Sequence, residues 1–329
     1  MEELLRGWVR ADFGLDLVSL DEVGHGADDA ARLWRGRGAG GESFAVKVTT
    51  GGTPAGLLLT AHLADRGVPG ILAPRTTASG ACWSEREGSR LSVVRWAPGD
   101  RALAGGMTGA HWRTFGALLA AVHATGVSGG PAGLLPREDH THDGPAAFVR
   151  TITDRLRRPS DDLLVRALAE RWHAAAGELS ALSGRADELG GRLRDATAVE
   201  VVCHGDPHLG NLLVGPGGEV WLIDWDDAVR APRERDLMFV LGGVLAFAPV
   251  TAQQRASFLD GYGDVGPDPV RLAYYLCKRA LEDLDWAARV LDVRRPVEER
   301  TAALEIVGGI LSPEGIVPIA LAAARRAAG

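Results

Sequence analysis

One stretch, Val199 to Asp227, reads VEVVCHGDPHLGNLLVGPGGEVWLIDWDD and limits what the rest of the chain can build around it. Two β-rich runs, Val199 to Cys203 and Glu219 to Ile223, bracket a polar loop, and a short apolar run, Leu212 to Val214, lies between them. The GPGG at Gly215 to Gly218 is a strong turn signal, so Leu212 to Ile223 is predicted to form a hairpin. Asp206 and Asn211 then sit on a loop at one end of that hairpin, and the chain returns Asp224 to the same end. Carboxylate and amide oxygens suit Mg²⁺, which takes near-octahedral oxygen coordination and keeps places for water and phosphate. Asn211 is the only asparagine in the chain, which fits a position that wants an uncharged oxygen ligand beside two carboxylates. The competing reading makes HGD and IDW ordinary turn residues whose aspartates bond local backbone. It has to account for the whole constellation rather than one short pattern.

HGDPHLGN followed by LIDWDD resembles the catalytic loop and metal-binding Asp of the aminoglycoside phosphotransferase and choline kinase group, relatives of the protein kinases. The resemblance implies an α+β, protein-kinase-like two-lobed fold, with a small antiparallel-sheet N-lobe and a mainly helical C-lobe. It implies Asp206 as catalytic base, Asn211 and Asp224 as Mg²⁺ ligands, and ATP or GTP as phosphoryl donor. Two departures stand out: Gly205 occupies the place of a kinase Arg, and Trp225 follows the metal Asp. The runs YYLCKRALEDL and APRERDLMF are similar to the spectinomycin phosphotransferase branch of the group. The implied acceptor is a small hydroxylated molecule such as an aminocyclitol antibiotic, and the implied consequence is antibiotic resistance. Another metabolite kinase, for an amino alcohol or a sugar, would carry the same catalytic residues, and a nucleotide-binding pseudokinase is the rival from a different class.

The composition is that of a globular protein, 46% hydrophobic and 24% charged. A net charge of -7 argues against nucleic acid, which needs a basic patch, and suits a cationic small substrate. Cys82, Cys203 and Cys277 are odd in number and lack metal-ligand spacing, so a reduced cytoplasmic setting is expected. The amphipathic, acidic opening is not a signal sequence, and no apolar run is long enough to span a bilayer. Monomer and homodimer both remain open.

A first lobe is expected over residues 1–97. Leu4, Leu5, Trp8, Val9 and Phe13 repeat at helical spacing. Leu17 to Val23 reads as a strand entering Gly24-His25-Gly26, a hairpin whose glycines would let backbone N–H groups approach phosphate, or a plain hairpin turn. FAVKV, Phe44 to Val48, is a strand carrying Lys47, which the resemblance assigns to the nucleotide phosphates; the alternative is a surface lysine on an edge strand. Kinases pair this lysine with a helix Glu, yet no acid occurs from Lys47 to Ala64, and Gly56 stands near the expected position in the helix Pro54 to Arg66. Either another group orients Lys47, with Glu85 or Glu87 on a neighbouring strand as candidates, or nucleotide binding reorganises this lobe. Two strands joined at REGSR lead to APGD, read as a hinge. By resemblance, Arg95, Trp96 and Ala97 form the base pocket.

Residues 98–329 are expected to form the helical lobe, with the catalytic loop and acceptor pocket. His111 to Gly126 is predicted as a helix ending at Gly126, with His123 on its apolar face as a core histidine. Arg137 to Gly144 gathers three acids and two histidines; it reads as a solvated loop, with metal ligation by His140 and His142 as the alternative. Ser160 to Leu193 reads as one or two helices started by Ser160 and Asp161, and the resemblance implies that Asp236 is a structural acid beneath the catalytic loop. Pro269 to Leu291 is predicted as one long helix after Asp268, with Tyr275, Arg279, Glu282, Asp283 and Trp286 largely on one side. Together with Trp225 and Asp226 these form the candidate acceptor site; the alternative is a water-facing helix. Two helices separated by Pro313 close the chain.

Overall fold

The computed structural model describes residues 2–23, 30–127, 130–244, 248–263 and 265–328. The Gly24-His25-Gly26 hairpin expected over the phosphates lies outside the described residues. The chain divides into two compact units, Met1–Pro136 with Val201–Arg230 and Ser257–Gly263, and Arg137–Glu200 with Ala231–Ala256 and Asp264–Gly329.

In the first unit, helix α1 (Glu2–Phe13) precedes β1 (Leu17–Val23), β2 (Ala31–Gly38) and β3 (Ser43–Thr49), then helix α2 (Ala55–Asp65), β4 (Ser84–Arg86) and β5 (Ser89–Arg95). The strands form one antiparallel sheet in the order β1-β2-β3-β5-β4. Strand alternation decides what each face carries. Phe44 and Val46 of β3 and Leu91 and Val93 of β5 turn to one face, where they form a core with Leu5, Val9 and Phe13 of α1. Lys47, between Val46 and Val48, stands opposite Ser92 in the ladder and so belongs to the other face. The REGSR turn is tight: Glu87 and Gly88 have φ of 51° and 75°, the backbone of a two-residue type I′ hairpin.

The same unit continues through β6 (Asp100–Arg101), α3 (Ala102–Gly105), α4 (Gly109–His123), β7 (Val201–Cys203), β8 (Leu212–Val214) and β9 (Val220–Leu222). Strands β6, β8 and β9 make a three-stranded ribbon. The hairpin predicted over Leu212–Ile223 is present, closed by Gly218 at φ 87°. The APGD segment owes its bend to Gly99, whose φ of 114° and contact with the Val214 carbonyl leave no room for a Cβ. Helix α4 starts earlier than the periodicity indicated because Thr108 and His111 cap it reciprocally, Thr108 Oγ1 accepting from His111 N at 3.3 Å and His111 Nδ1 from Thr108 N at 3.2 Å. It closes at Ala124, not Gly126. His123 is 8% exposed and shares a 2.6 Å hydrogen bond with the Tyr262 hydroxyl, a core histidine as expected.

The second unit is helical: α5 (Asp143–Leu156), α6 (Leu163–Ala174), α7 (Ala176–Arg194) and α8 (Glu234–Leu241). Strand β10 (Val229–Ala231) precedes α8, and α9 (Ala252–Tyr262) follows it, both crossing between the units in sequence. Helices α10 (Pro269–Asp283), α11 (Trp286–Leu291), α12 (Val297–Ile310) and α13 (Ile316–Ala328) complete it. Leu168, Trp172, Leu182, Tyr274, Tyr275 and Val317 lie at the centre of its core. Asp162, one residue beyond the expected start signal, caps α6 by accepting from Leu164 N and Val165 N at 2.9 and 3.1 Å. Asp268 caps α10 in the same way.

Two expectations are corrected here. Pro269 to Leu291 is not one helix: it breaks at Leu284 and Asp285 without Gly or Pro, because α10 packs on α7 and α13 whereas α11 packs on α6 and α12. The loop Arg137 to Gly144 is not solvated around its histidines. His140 and His142 are 9% and 3% exposed, with their rings against Tyr274. His140 takes φ 56°, its N–H donates to Glu138 Oε1 at 2.9 Å, and its carbonyl accepts from Arg194 at 3.0 Å.

Burial holds the His140 ring below the ordinary histidine pKa, with Lys278 and Arg194 adding to the effect and Glu138 and Asp139 opposing it. A histidine depressed in the folded state supplies stability above its unfolded value, ~6.5, that is lost as pH falls through the folded one. Asn tolerates the left-handed backbone, so His140→Asn is expected to fold. Its melting temperature should fall less between pH 7.5 and pH 5 than that of wild type, by about 2 °C or more; identical pH profiles would contradict a buried neutral His140.

Candidate active site

The site is assembled within the first unit, by a loop after β7 and a turn after β9. His204, fully buried, locks the loop: its Nε2 shares a 3.0 Å hydrogen bond with the Ile223 carbonyl, and its Nδ1 accepts the Asp206 N–H at 3.2 Å. Those partners define a neutral ring protonated at Nε2. Asn211 closes the loop from the other side, its amide nitrogen donating to the Asp206 carbonyl at 2.9 Å and reaching Asp206 Oδ2 at 3.4 Å. Its amide oxygen is thereby directed away from Asp206. Ile223 N donates to the Asn211 carbonyl at 3.0 Å, which brings the residue before Asp224 against the residue that ends the loop. Asp206 and Asn211 are thus in contact, and Asp224 follows directly on the residue bonded to Asn211.

Asp224 adopts φ 64°, a left-handed conformation that Asp reaches at modest cost. The turn is pinned by Trp225, 7% exposed, whose indole N–H donates to the Leu222 carbonyl at 3.0 Å and whose ring stands 4.5 Å from that of His204. Backbone then approaches backbone. A Cβ on Gly56 would overlap the Trp225 carbonyl, and one on Gly205, itself at φ 90°, would overlap the Asp227 carbonyl. This accounts for Gly205 and for the missing helix acid. Gly205 replaces Arg because its neighbour is main chain, and α2 carries no acid at Gly56 because the turn fills that space.

Lys47 finds its partners on this turn. Its Nζ lies 3.2 Å from Asp224 Oδ1 and 2.5 Å from Asp226 Oδ2. Burial pulls the ammonium's pKa down, but the two carboxylates outweigh it and Lys47 titrates above an ordinary lysine. The expectation that Glu85 or Glu87 holds Lys47 is corrected. Glu85 pairs in register with Arg90 on the edge strand β4, with β5 standing between β4 and β3, and Glu87 sits in the hairpin turn.

A cation would find suitable donors here. The Asn211 amide oxygen and the Asp224 carboxylate, 53% exposed, are hard oxygen ligands of the kind Mg²⁺ takes, and they leave places for phosphate and water. Asp206, 17% exposed, has its Oδ2 3.4 Å from His208 Nε2. In the segment expected to read a nucleotide base, the Trp96 N–H is already committed to the Ser43 carbonyl at 2.8 Å, Ala97 is buried, and Arg95 is exposed.

The second unit holds the other acceptor candidates. Tyr275 is fully buried in the core, Arg279 pairs with Asp283 at 2.6 Å, and Glu282 lies 3.6 Å from Arg235. Trp286 belongs to α11, not to α10. No pattern in the chain announces the pairing of Lys278 with buried Glu138, at 2.9 and 3.0 Å to the two carboxylate oxygens. The scarcity of lysine was its only signal. None of the three cysteines is in a disulfide, and burial pushes the Cys277 thiol up to about 12, which removes it as a nucleophile.

An antiparallel five-stranded sheet thus presents a lysine to an Ile-Asp-Trp turn whose backbone is bonded to a His-Gly-Asp loop, an arrangement of the kinase-like class. The chain matches the profile of the phosphotransferase enzyme family, APH, over residues 22–275, and it belongs to that family. It is therefore a phosphotransferase enzyme. No curated protein matches it. Among solved structures it is similar to spectinomycin phosphotransferase, APH(9)-Ia, in complex with ADP and spectinomycin, with a TM-score of 0.82 at 24% identity over 98% of both chains. It is also similar to the amicoumacin kinase hAmiN bound to AMP-PNP, Ca²⁺ and Ami, with a TM-score of 0.65 at 19% identity over 96% of this chain and 95% of that one. A choline/ethanolamine kinase family protein from Mesorhizobium loti follows at 0.51 and 17%, over 94% and 92%. These likenesses establish the α+β, kinase-like fold.

The close approach of α2 to the turn can be tested directly. Gly56→Ala places a methyl group on the Trp225 carbonyl, so the variant is expected to lose about 1–3 kcal/mol, read by thermal or denaturant unfolding. Stability equal to wild type would contradict the packing described.

Proposed function

We propose that this enzyme transfers the γ-phosphoryl group of ATP or GTP, with Mg²⁺, to a hydroxyl of a small acceptor, favouring an aminocyclitol antibiotic of the spectinomycin kind, so that it confers resistance. The observation that carries the reading is the gathering of Asp206, Asn211, Asp224 and Lys47 on one scaffold, joined by the hydrogen bonds and ion pair given above. Phosphoryl transfer passes through a loose transition state, so an enzyme mainly positions groups and neutralises charge. Asn211 and Asp224 would hold Mg²⁺, which when bound offsets negative charge on the phosphates. Lys47 adds a fixed positive charge there. Asp206, oriented by Asn211 and by its backbone bond to His204, accepts the proton of the acceptor hydroxyl and aligns its oxygen.

In this reading residues 1–97 form the nucleotide lobe, with Arg95 to Ala97 at the base, and residues 98–329 carry the catalytic loop and the acceptor pocket. In the second unit Arg279, Glu282, Asp283 and Trp286 are the acceptor candidates, with Tyr275 in the core, while Trp225 belongs to the turn of the first unit. A net charge of -7 favours a cationic acceptor. A cytoplasmic setting fits cysteines that form no disulfide, and among the described residues no helix is long and apolar enough to cross a membrane.

The test measures ADP release with spectinomycin and with a panel of amino alcohols and sugars. Turnover is expected with spectinomycin, and Asp206→Ala should lose at least about 10²-fold in kcat, the lower end of what a general base supplies, with nucleotide affinity nearly unchanged. Turnover confined to a metabolite would move the acceptor to that class, and wild-type turnover in Asp206→Ala would remove Asp206 from the chemistry.

A further inference from the structure

A lysine that contacts phosphates is useful only if something fixes where its ammonium stands, because four single bonds separate it from the backbone. Kinases fix it with a carboxylate on the helix that follows. Here that helix has no acid from Lys47 to Ala64, and its Gly56 touches the Trp225 carbonyl so closely that no side chain fits there. The vacancy left by the helix is filled by the turn that excluded it. Resting on the phosphate-binding reading of Lys47 above, we propose that Asp226 is the positioning residue that holds Lys47, taking over the duty of the missing helix carboxylate.

Three observations support this assignment. Asp226 Oδ2 is the nearer of the two carboxylate oxygens on Lys47, at 2.5 Å against 3.2 Å for Asp224 Oδ1. Asp224 would also serve the cation in the function proposed above, which would leave Asp226 as the carboxylate free to hold Lys47. The backbone that carries Asp226 is fixed on both sides. Trp225 is anchored to Leu222 and His204, and the Asp227 carbonyl lies against Gly205. The left-handed Asp224 sets the turn so that two carboxylates separated by one residue both reach the same ammonium. With Asp226 48% exposed, the pair lies where water screens it and contributes little to folding stability. Its effect is therefore expected on nucleotide binding, not on the melting temperature.

A double-mutant cycle separates positioning from every other role. MgADP affinity is measured by titration calorimetry for wild type, Lys47→Ala, Asp226→Asn and the double variant. Asp226→Asn is expected to weaken MgADP about three- to tenfold in the wild-type background, a coupling of ordinary size for neighbouring charged groups, and to have almost no effect once Lys47 is alanine. Asp226→Glu, which keeps the carboxylate, should restore part of the loss. The coupling should also persist with ADP alone in excess chelator. An equal loss in both backgrounds, or a coupling that vanishes without the cation, would overturn the assignment, because Asp226 would then act on metal or acceptor directly while Lys47 kept its phosphate role. Unchanged MgADP affinity in Lys47→Ala would overturn both this assignment and the reading of Lys47. Asp226→Ser serves as a second variant should Asp226→Asn unfold, and unfolding curves of all variants establish that the compared proteins are native.

Discussion

Main chain packed on main chain around the turn from Asp224 to Asp227 is the constraint on which the rest of the site depends. Helix α2 lies against the Trp225 carbonyl at Gly56, and the catalytic loop lies against the Asp227 carbonyl at Gly205. Contacts this close leave no tolerance for a Cβ, so both positions are specified by geometry rather than by chemistry. What they deliver is chemical: the loop that carries Asp206, the residue preceding Asp224 and the strand that carries Lys47 are tied to one small piece of backbone. His204 is the internal brace, since a single buried ring bonds the Ile223 carbonyl on one side and the Asp206 N–H on the other. Any displacement of the turn is transmitted to the loop through that ring.

Much of this was legible in the sequence, for identifiable reasons. The hairpin, the loop and the convergence of Asp206, Asn211 and Asp224 follow from local signals: a Gly-rich turn between two β-branched runs and polar residues at both ends. Strand β3 and the placement of Lys47 follow from alternation, and the starts of α1 and α10 from periodicity and capping. The misses share a different origin. The break between α10 and α11 has no Gly or Pro to announce it and is imposed by packing on two different pairs of helices. Acids and histidines make the loop around His140 and His142 read as solvated, yet its histidines are buried against Tyr274 and Glu138 is held by Lys278 of α10. Glu85 and Glu87 lie on the β4–β5 hairpin, nearer Lys47 in sequence, whereas its partner Asp226 arrives 179 residues later. No pattern within one element could have revealed it.

The missing helix acid had been the sequence feature that favoured a nucleotide-binding module without chemistry. With a carboxylate 2.5 Å from Lys47 on the turn, that feature no longer separates this chain from an active kinase. Membership of the phosphotransferase enzyme family over residues 22–275 points the same way. On helix α10, Arg279 pairs with Asp283 and Lys278 pairs with Glu138 of the loop before α5.

In the function proposed, Asn211 and Asp224 hold one cation beside Asp206. A crystal structure grown with ADP and Mn²⁺, with anomalous scattering recorded at the manganese edge, tests this without an activity assay. An anomalous peak is expected, bonded to both the Asn211 amide oxygen and a carboxylate oxygen of Asp224. A peak bonded to neither residue, with nucleotide present, would contradict it.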